Sequence, residues 1–425
     1  MTLSGKDKRY IWHPYTQHKT AGEAIPIVKG EKAWLYDEAG NRYIDAISSW
    51  WTNIHGHAHP YIAEKVHEQF LTLEHVIFAG FTHEQAVRLA GRLLERLPPS
   101  QKKVFFSDNG STAVEVALKM AFQYWHNRGE ERKKVIAFRN AYHGDTFGAM
   151  SVSGRGAFTG PFESLLFDVV DIDAPVSGKE SASLEELRRA VKDPGIACFI
   201  FEPLVQGTAG MVMHSGDALS EMIAACRKEQ VLTIADEVMT GFGRTGTFFA
   251  SDRLANKADM YCLSKGLTGG AMPLGITACT DEVYQAFLSD DKMRTFFHGH
   301  SYTANPLACA AANASLDLFE KEGVMKEVER IGKMHRAFRE SIAGHPALKD
   351  ARCLGSIMAL EIQAGSGTSY FNALRDTAYA YFIEKGILIR PLGNIIYLMP
   401  PYCISDDDLD YIYRSIKEFL DAVQG

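Results

Sequence analysis

An aspartate and a lysine each follow a short apolar segment of this sequence. Asp236 ends Val231–Asp236 (VLTIAD), and Lys265 follows Met260–Ser264 (MYCLS), with enough chain between them for one crossover between strands. A lysine amine can form a Schiff base with a cofactor aldehyde, and a carboxylate can keep a cofactor's pyridine nitrogen protonated. Taken alone, Lys265 is typical of a charged residue whose stem covers apolar surface at a strand edge. The two residues together favour covalent cofactor chemistry.

A third candidate follows the apolar segment Lys103–Ser107 (KVFFS), where Gly110 and Ser111 precede a predicted helix. The free N–H groups and the positive dipole end of such a helix bind phosphate, and Gly110 permits close approach. The alternative is a capping box formed by Thr112 and Glu115, which have the spacing of that motif. The motif by itself favours the capping box.

An aromatic pair follows a fourth apolar segment. Tyr142 and His143 come after Lys134–Phe138 (KVIAF), where an aromatic ring can cover the face of a planar cofactor. Ligands of open α/β sheets bind outside the carboxyl ends of the strands, so polar groups at these four strand ends carry more weight than others.

One glycine motif resembles a dinucleotide site only in its spacing. Gly241-Phe242-Gly243-Arg244-Thr245-Gly246 matches GxGxxG. A dinucleotide fingerprint needs a strand before the glycines and a helix directly after them. The residues that follow, TFFASDRLAN, do not begin a convincing helix, so we expect no dinucleotide site here.

The apolar segments that carry these residues predict an α/β fold. Between about residues 100 and 310, near-continuous apolar segments alternate with amphipathic ones, which is typical of a mostly parallel sheet covered on both faces. The predicted elements are strands at Lys103–Ser107, Lys134–Phe138, Ala197–Glu202, Val231–Asp236 and Met260–Ser264, with helices at Thr112–Trp125 and Ser220–Glu229.

After residue 320 the pattern indicates a second, smaller α+β unit. Its predicted elements are helices at Val324–Ile342 and near Tyr370–Lys385, a last helix opened by Ser405, and strands near Ser356–Ile362, Ile387–Arg390 and Ile395–Met399. We therefore expect three parts: an N-terminal segment (1–55) that packs with the small domain and the substrate pocket, a large cofactor-binding domain (56–320), and a small C-terminal domain (321–425).

Composition excludes several classes of protein. The 425 residues are 46% hydrophobic, and 52 acidic against 45 basic residues give a net charge of −7. A mildly acidic chain without a basic block does not favour nucleic-acid binding. The longest apolar runs fall far short of the ~20 residues that span a bilayer, so we expect no membrane association. The first residues, MTLSGKDKRYIWHP, contain no apolar signal core, which favours the cytoplasm.

Cysteine and histidine do not predict a metal site. The seven cysteines are widely and irregularly spaced without a Cys-x-x-Cys pair, as expected for reduced thiols in a cytosolic enzyme. His55, His57 and His59 alternate and would share one face of a strand, but Gly56 and Pro60 indicate a turn. No cysteine partner or HExxH helix lies nearby.

At the residues around Asp236 and Lys265, the sequence resembles a known family. Asp236-Glu237-Val238 with GFGRTG, followed by SKGLTGG, resembles the class III aminotransferases, which are pyridoxal-phosphate enzymes of fold type I. The resemblance is collinear over nearly the whole chain. It implies a pyridoxal 5'-phosphate cofactor and a large domain built on a mostly parallel sheet.

Longer segments resemble the branch of this family that acts in biotin synthesis. They are His13–Gln17, Asp45–Pro60, Arg139–Val152, His298–Leu316 and Ile389–Ile404. This resemblance implies amination of the ketone of 8-amino-7-oxononanoate to give 7,8-diaminononanoate. It favours S-adenosylmethionine as the amine donor, although some relatives use lysine, and no residue decides between them.

The resemblance also implies roles for matching residues. Lys265 would carry the Schiff base and later move the proton between substrate and cofactor, and Asp236 would pair with the pyridinium. Tyr142 would flank cofactor and substrate, and is counted with Lys265 and Asp236 among the catalytic residues. Gly110 and Ser111 would bind the phosphate.

A further group would reach the site of the neighbouring subunit, which implies a homodimer. Gly299 would contact substrate, while His300 and Ser301 would contact cofactor, Ser301 adding a hydroxyl to the phosphate. The family has Pro-Thr where this chain has His300-Ser301. Serine keeps the hydroxyl, whereas His300 is expected to alter the entrance.

Three residues would form the substrate pocket. Arg390 would bind the substrate carboxylate with its planar fork, while Trp50 and Tyr15 would line the apolar path. The alternatives are a surface ion pair for Arg390 and core packing for one or both of Trp50 and Trp51.

Two other functions remain as alternatives. The first is another class III enzyme, either an ω-amino-acid:pyruvate aminotransferase or an aminomutase, and the tryptophan pair and the Arg390 segment count against it. The second is a cofactor-binding regulator without catalysis. That reading predicts a damaged Lys–Asp pair and a basic DNA-binding extension, neither of which this sequence has.

Overall fold

A computed structural model describes residues 2–156, 158–363 and 372–423. We number the elements in chain order. The strands are β1 Ile27–Glu31, β2 Trp34–Asp37, β3 Arg42–Asp45, β4 Gln101–Ser107, β5 Lys134–Phe138, β6 Val169–Ile172, β7 Ile196–Phe201, β8 Val205–Gln206, β9 Val212–Met213, β10 Leu232–Asp236, β11 Met260–Leu263, β12 Gly275–Thr280, β13 Leu348–Leu354, β14 Ile357–Ile362, β15 Ile387–Leu388 and β16 Ile395–Leu398.

The α-helical segments are α1 Leu3–Tyr10, α2 Ser48–Trp51, α3 Pro60–Thr72, α4 Glu84–Arg96, α5 Gly110–Asn127, α6 Phe147–Ser151, α7 Glu180–Ala190, α8 Gly216–Lys228, α9 Asp281–Gln285, α10 Pro306–Lys321, α11 Val324–Ser341, α12 Leu374–Glu384 and α13 Asp406–Val423. Short 3₁₀ turns lie at Gly160–Leu165, Ala250–Arg253, Lys265–Thr268 and Lys292–Arg294. Within the described ranges, no helix is long and apolar enough to cross a bilayer.

A seven-stranded sheet forms the centre of the fold, in the order β4-β12-β11-β10-β7-β5-β6. The pairs among β11, β10, β7, β5 and β6 are parallel, and β12 runs antiparallel to both of its neighbours. Apolar side chains of both strand faces are buried: Val135 and Ala137 share a cluster with α5, and Ile136 and Phe138 share another with α8. The predicted α/β fold with a mostly parallel, doubly covered sheet is confirmed.

Two smaller sheets complete the chain. Strands β13, β14 and β16 form an antiparallel sheet. Strands β1, β2 and β3 form a hairpin sheet whose last member pairs in parallel with β15, so Ile44 lies opposite Ile387. Residues near the two ends of the sequence therefore share one sheet.

Several predicted boundaries need correction. The capping box of Thr112 and Glu115 is wrong, because α5 begins two residues earlier. Asn109 caps it instead: its side chain accepts from the Thr112 amide at 3.0 Å, and Thr112 Oγ1 accepts from the Asn109 amide at 3.1 Å. Glu115 accepts from the amides of Gly148 and Ala149.

Two boundaries near the C-terminus also differ. The strand predicted at Ile387–Arg390 ends at Leu388, so Arg390 lies beyond the sheet. The helix predicted near Tyr370–Lys385 begins at Leu374, and residues 370 and 371 lie outside the described residues. Ser405 opens the last helix as predicted, its hydroxyl accepting from the Asp408 amide at 3.1 Å.

The three alternating histidines contact three different partners. His55 Nε2 lies 2.9 Å from Ser315 Oγ, and burial lowers the pKa of His55 to about 3. His57 Nε2 lies 2.8 Å from Asp45 Oδ2, whereas His59 Nε2 lies 3.8 Å from Glu322. These side chains stabilise the turn that precedes α3.

The glycine motif at residues 241–246 encloses a buried guanidinium. Arg244 is 1% exposed and donates to the carbonyl oxygens of Met399, Pro400 and Trp51. The motif thereby links the strand end after Asp236 to the segment that follows β16, which is a structural role.

Candidate active site

A cavity of about 1160 Å³ opens at the carboxyl ends of the central parallel strands. Its lining includes eight of the residues predicted from sequence: Tyr15, Trp50, Gly110, Ser111, Tyr142, Asp236, Lys265 and Arg390. Strand ends gather these residues because β4, β5, β10 and β11 all point to the same edge of the sheet. The cavity is therefore the candidate active site.

Lys265 lies one residue beyond the end of β11, after Ser264, and its partly buried side chain lines the cavity. Its Nζ is 4.5 Å from the centre of the Trp51 ring, and among the described residues it forms no ion pair or hydrogen bond. Burial lowers the pKa of Lys265 to about 8, against the opposing influence of Asp236 and Glu202. The backbone at Lys265 has φ +47°, a left-handed conformation that is costly for a residue with a side chain and is concentrated at functional sites.

Asp236 is held in place by two hydrogen bonds. Its Oδ2 lies 2.6 Å from Nδ1 of the buried His143, and its Oδ1 accepts from the Val238 amide at 3.0 Å. Asp236 is 4% exposed and His143 is 3% exposed. A carboxylate so buried and so positioned can pair with a cationic ring nitrogen in the cavity. The sequence predicts Tyr142 and His143 only as rings that could cover a planar cofactor, and it does not signal the contact between His143 and Asp236.

The first turn of α5 forms a cradle for an anion. The N–H groups of Gly110 and Ser111 have no acceptor within the helix, and both residues line the cavity. A Cβ at Gly110 would lie 2.6 Å from Val238 Cγ1, so the close approach predicted there is required. Gly144 has φ +134°, and a Cβ there would lie 2.1 Å from Ser111 Oγ. The two glycines keep the cradle open.

The tryptophan pair lies in a turn with unusual backbone angles. Ser48, Ser49 and Trp51 have φ of +51°, +58° and +68°, although none is glycine. Left-handed residues with a side chain cost about 1–3 kcal/mol each when the surroundings hold them there. We call residues 48–51 the tryptophan turn.

The two tryptophans occupy different surroundings. Trp50 is 42% exposed, and its ring lies 4.9 Å from the Arg390 guanidinium carbon. Trp51 is 4% exposed, and its Nε1 donates to the hydroxyl of Tyr397 at 3.0 Å. Both line the cavity. Trp51 is therefore a core residue that also contacts Lys265. The sequence alone does not decide which of the two tryptophans lies in the core.

Arg390 points into the cavity rather than to the surface. Among the described residues it forms no ion pair with a carboxylate, and its guanidinium stacks on Trp50. The surface ion pair considered as an alternative is therefore wrong. A guanidinium on an aromatic face keeps its donors available for a carboxylate.

Two tyrosines and an aspartate meet at one wall of the cavity. The Tyr15 hydroxyl lies 3.3 Å from the Tyr142 hydroxyl and forms a short hydrogen bond to Asp145. Burial and the bond to Tyr15 raise the pKa of Tyr142 well above its ordinary value. The ring of Tyr15 packs 5.5 Å from that of Trp50. Asp145 also lines the cavity and is not among the site residues predicted from sequence.

Glu202 is a buried acid at the end of a predicted strand, and the sequence predicts no role for it. Its carboxylate accepts from the amides of Tyr142 (3.2 Å) and Gly207 (2.9 Å), and burial raises its pKa to about 7. Glu202 thereby joins two cavity-lining loops. Only its position after a fully apolar strand signalled this role.

Gly299, His300 and Ser301 do not line this cavity. They lie in the segment between the 3₁₀ turn Lys292–Arg294 and α10, where the amide of His300 donates to Thr303 Oγ1 at 3.0 Å. Gly299 and Ser301 are exposed.

Comparison with known proteins decides the family. The class III aminotransferase family model matches residues 15–420. The chain belongs to the class III aminotransferases. It is accordingly a pyridoxal-phosphate-dependent aminotransferase, with the fold type I architecture described above.

The chain is similar to several individual members of the family. It is 47% identical to the adenosylmethionine-8-amino-7-oxononanoate aminotransferase of Synechococcus elongatus, over 97% of this chain and 99% of that protein. The structure of the enzyme of the same name from Methanocaldococcus jannaschii matches with a TM-score of 0.93 and 37% identity, over 98% of each chain. An omega transaminase of Pseudomonas jessenii in complex with PMP matches with a TM-score of 0.94 and 26% identity, over 99% of this chain and 98% of that one.

The residues of the cavity fit pyridoxal phosphate. Lys265 supplies an amine, Asp236 a buried carboxylate, and the first turn of α5 a seat for a phosphate. The phosphate seat depends on glycine at two positions, because a Cβ at Gly110 would collide with Val238 and a Cβ at Gly144 would collide with Ser111. The aminotransferase therefore has one site at which all parts of the cofactor find a partner.

Proposed function

We propose that this aminotransferase converts 8-amino-7-oxononanoate to 7,8-diaminononanoate, with S-adenosylmethionine as the amine donor, in biotin synthesis. The observation that carries the proposal is Arg390, stacked on Trp50 inside the cavity and free of any carboxylate among the described residues. The acceptor has a carboxylate at the end of an aliphatic chain, remote from its ketone, and Arg390 with the apolar rings beside it suits such a molecule. The enzymes of Synechococcus elongatus and Methanocaldococcus jannaschii that the chain resembles are named for this substrate.

When bound, pyridoxal phosphate would supply an electron sink in its ring and an aldehyde that can carry the amino group between donor and acceptor. Lys265 binds the cofactor and moves the proton at the reacting substrate carbon, for which a pKa of about 8 is well placed near neutral pH. Asp236 holds the ring nitrogen protonated, and His143 orients Asp236. Gly110 and Ser111 bind the phosphate.

The other lining residues would orient the substrate. Tyr142 flanks cofactor and substrate, and Tyr15 and Trp50 line the apolar path toward Arg390. A bidentate hydrogen-bonded pair between Arg390 and the carboxylate fixes how far the ketone lies from Lys265.

The proposed enzyme is a homodimer with shared active sites. Gly299, His300 and Ser301 would reach the partner subunit's cavity, where Gly299 would contact substrate, His300 would contact cofactor and narrow the entrance, and Ser301 would add a hydroxyl to the phosphate. The exposure of Gly299 and Ser301 supports this assignment, and none of the three residues lines the cavity of its own chain.

We assign the domains as the sequence predicts: 1–55, 56–320 and 321–425. The pairing of β3 with β15 supports packing of the N-terminal segment with the C-terminal domain. A cytoplasmic location suits a chain with reduced thiols, and the described cysteines are free.

Stopped-flow absorbance of the two half-reactions tests this function. The cofactor-loaded enzyme is mixed first with S-adenosylmethionine, lysine or other amines, and its amino form is then mixed with 8-amino-7-oxononanoate or pyruvate. We expect a fast spectral change with S-adenosylmethionine and reversal by the oxononanoate. Rapid reversal by pyruvate and none by the oxononanoate would favour an ω-amino-acid:pyruvate aminotransferase. Isomerisation of the substrate without an external acceptor would indicate an aminomutase. A spectrum that no amine changes would indicate a regulator without catalysis.

A further inference from the structure

The tryptophan turn is held in its left-handed conformation by one buried carboxylate. Asp45 is 0% exposed and ends β3. Its Oδ1 accepts from the Ile47 amide at 3.2 Å, and its Oδ2 accepts from the Ser49 amide at 2.6 Å. The same Oδ2 lies 2.8 Å from His57 Nε2 and 3.3 Å from Ser49 Oγ. One side chain therefore ties the first half of the turn, through Ile47 and Ser49, to His57 in the loop beyond it.

Other contacts of the turn come from distant parts of the chain. Ser48 Oγ donates to the Met399 carbonyl at 2.9 Å, and the buried guanidinium of Arg244 donates to the Trp51 carbonyl at 3.4 Å. These bonds fix the outer boundaries of the turn. They do not reach Ser49, whose backbone amide is bonded to Asp45.

The two rings carried by the turn contact two different functional residues of the cavity. Trp50 stacks against Arg390, and Trp51 lies against Lys265. A change in the backbone at Ser49 would move the first ring directly, and a misplacement of 1 Å at a reacting or binding group costs about a hundredfold in rate. The conformation of the turn therefore matters to substrate binding as well as to the fold.

We propose that Asp45, with His57, is a positioning residue of the active site: it holds the tryptophan turn in its left-handed conformation and so sets the position of Trp50 beside Arg390. Asp45 lines no part of the cavity. It acts through the turn, and its effect falls on binding of the acceptor carboxylate more than on the proton transfer at Lys265.

Substitutions at Ser49 test the backbone conformation itself. Ser49 is exposed, so either replacement leaves the core intact, and both remove the same hydroxyl. Ser49→Gly accepts φ +58° without strain, whereas a β-branched valine at this position resists it. We expect Ser49→Gly to match the native enzyme within about twofold, and Ser49→Val to raise the KM for 8-amino-7-oxononanoate by about tenfold or more, with a smaller change in kcat.

Asp45→Asn removes an acceptor of the Ser49 amide, and Asp37→Asn is its matched control. Asp37 is also buried (7% exposed) and accepts from the amides of Ala39 and Asn41, but the hairpin turn it holds does not line the cavity. Hydrogen exchange of the cofactor-free protein, read on a peptide spanning residues 46–54, should become at least about tenfold faster in Asp45→Asn, because a hydrogen bond to a charged group is lost. Asp37→Asn should leave both that exchange and the KM unchanged.

Three results would overturn the inference. Ser49→Val and Ser49→Gly could show the same hydrogen exchange and the same KM, or a folded Asp45→Asn protein could exchange at the native rate. Asp37→Asn could also raise the KM as much as Asp45→Asn does. If Asp45→Asn does not fold, the Ser49 pair decides. The kinetic part rests on the proposed function, whereas the exchange part does not. An enzyme that rejects the oxononanoate would refute the proposed function and leave the exchange result to decide this inference.

Discussion

Replacing Lys265 by methionine should stabilise the cofactor-free protein at neutral pH while abolishing its activity. Burial lowers the pKa of Lys265 from 10.5 to about 8. Methionine has a similar length and no charge, and both residues carry a Cβ, so the left-handed backbone at this position is equally strained in the two proteins. The comparison therefore isolates the charge.

The expected magnitude follows from the proton balance. Below pH 8 Lys265 is protonated in both the folded and the unfolded chain, so the folded chain bears the full cost of burying the ammonium group. The lowering of the pKa from 10.5 to about 8 corresponds, at ~1.4 kcal/mol per pH unit, to a cost on the order of 3 kcal/mol. Between pH 8 and 10.5 the folded chain has released the proton and the unfolded chain has not. The free energy of unfolding of the native protein consequently rises with pH through this window, and the advantage of Lys265→Met shrinks to about 1 kcal/mol at pH 10.

Urea unfolding of both cofactor-free proteins, at equal protein concentration and at pH 7, 9 and 10, measures this difference. The exposed Lys102 provides the control, because Lys102→Met should shift the midpoint little and equally at each pH. The reasoning is refuted if Lys265→Met gives no stabilisation at pH 7, or a stabilisation of the same size at pH 10.

Three further predictions concern activity. Arg390→Ala should slow the half-reaction with 8-amino-7-oxononanoate at least about thirtyfold, since losing a charge-assisted clamp costs about 2–5 kcal/mol; an unchanged rate in stopped-flow absorbance would show that Arg390 does not bind the carboxylate. His143→Ala should weaken cofactor binding about tenfold by equilibrium dialysis, because Asp236 loses one of its hydrogen bonds, and His143→Gln should restore part of it. Lys265→Ala and Ser301→Asp homodimers should each be inactive, whereas mixed dimers should recover activity in one of their two sites; mixed dimers as inactive as the parents would contradict shared sites.

The residues at strand ends could be predicted because two local signals coincide. An apolar run marks a buried strand, and the polar residue directly after it then lies at the carboxyl edge of the sheet, which is how Asp236 and Lys265 were found. The same reasoning placed Tyr142 and Gly110. Each of these positions depends only on a few neighbouring residues.

What the sequence did not predict depends on contacts between distant segments. The apolar pattern of β12 does not reveal that this strand runs antiparallel to its neighbours, because strand direction is set by the path of the connecting chain. The bond between His143 and Asp236 joins two strand ends 93 positions apart. The sequence predicts Thr112 rather than Asn109 as the cap of α5, because Ser, Thr, Asp and Asn all satisfy the same cap and five such residues occur among positions 107–112. The different roles of Trp50 and Trp51 follow from three left-handed residues that no pattern signals.

The parallel pairing of β3 with β15 has a consequence for the order in which the active site forms during synthesis. Ile44 and Ile387 are about 340 residues apart in the sequence, and a ribosome adding about 5–20 residues per second takes on the order of 20–70 s to cover that interval. The first strands of the protein therefore leave the ribosome with their partner still untranslated. The carbonyl of Met399 that anchors Ser48 arrives later still. A nascent chain that extends past Lys265 but not to Met399 contains Asp236 and Lys265, yet it lacks the carbonyl that anchors Ser48. The substrate-binding site is therefore completed only after Met399 has been synthesised.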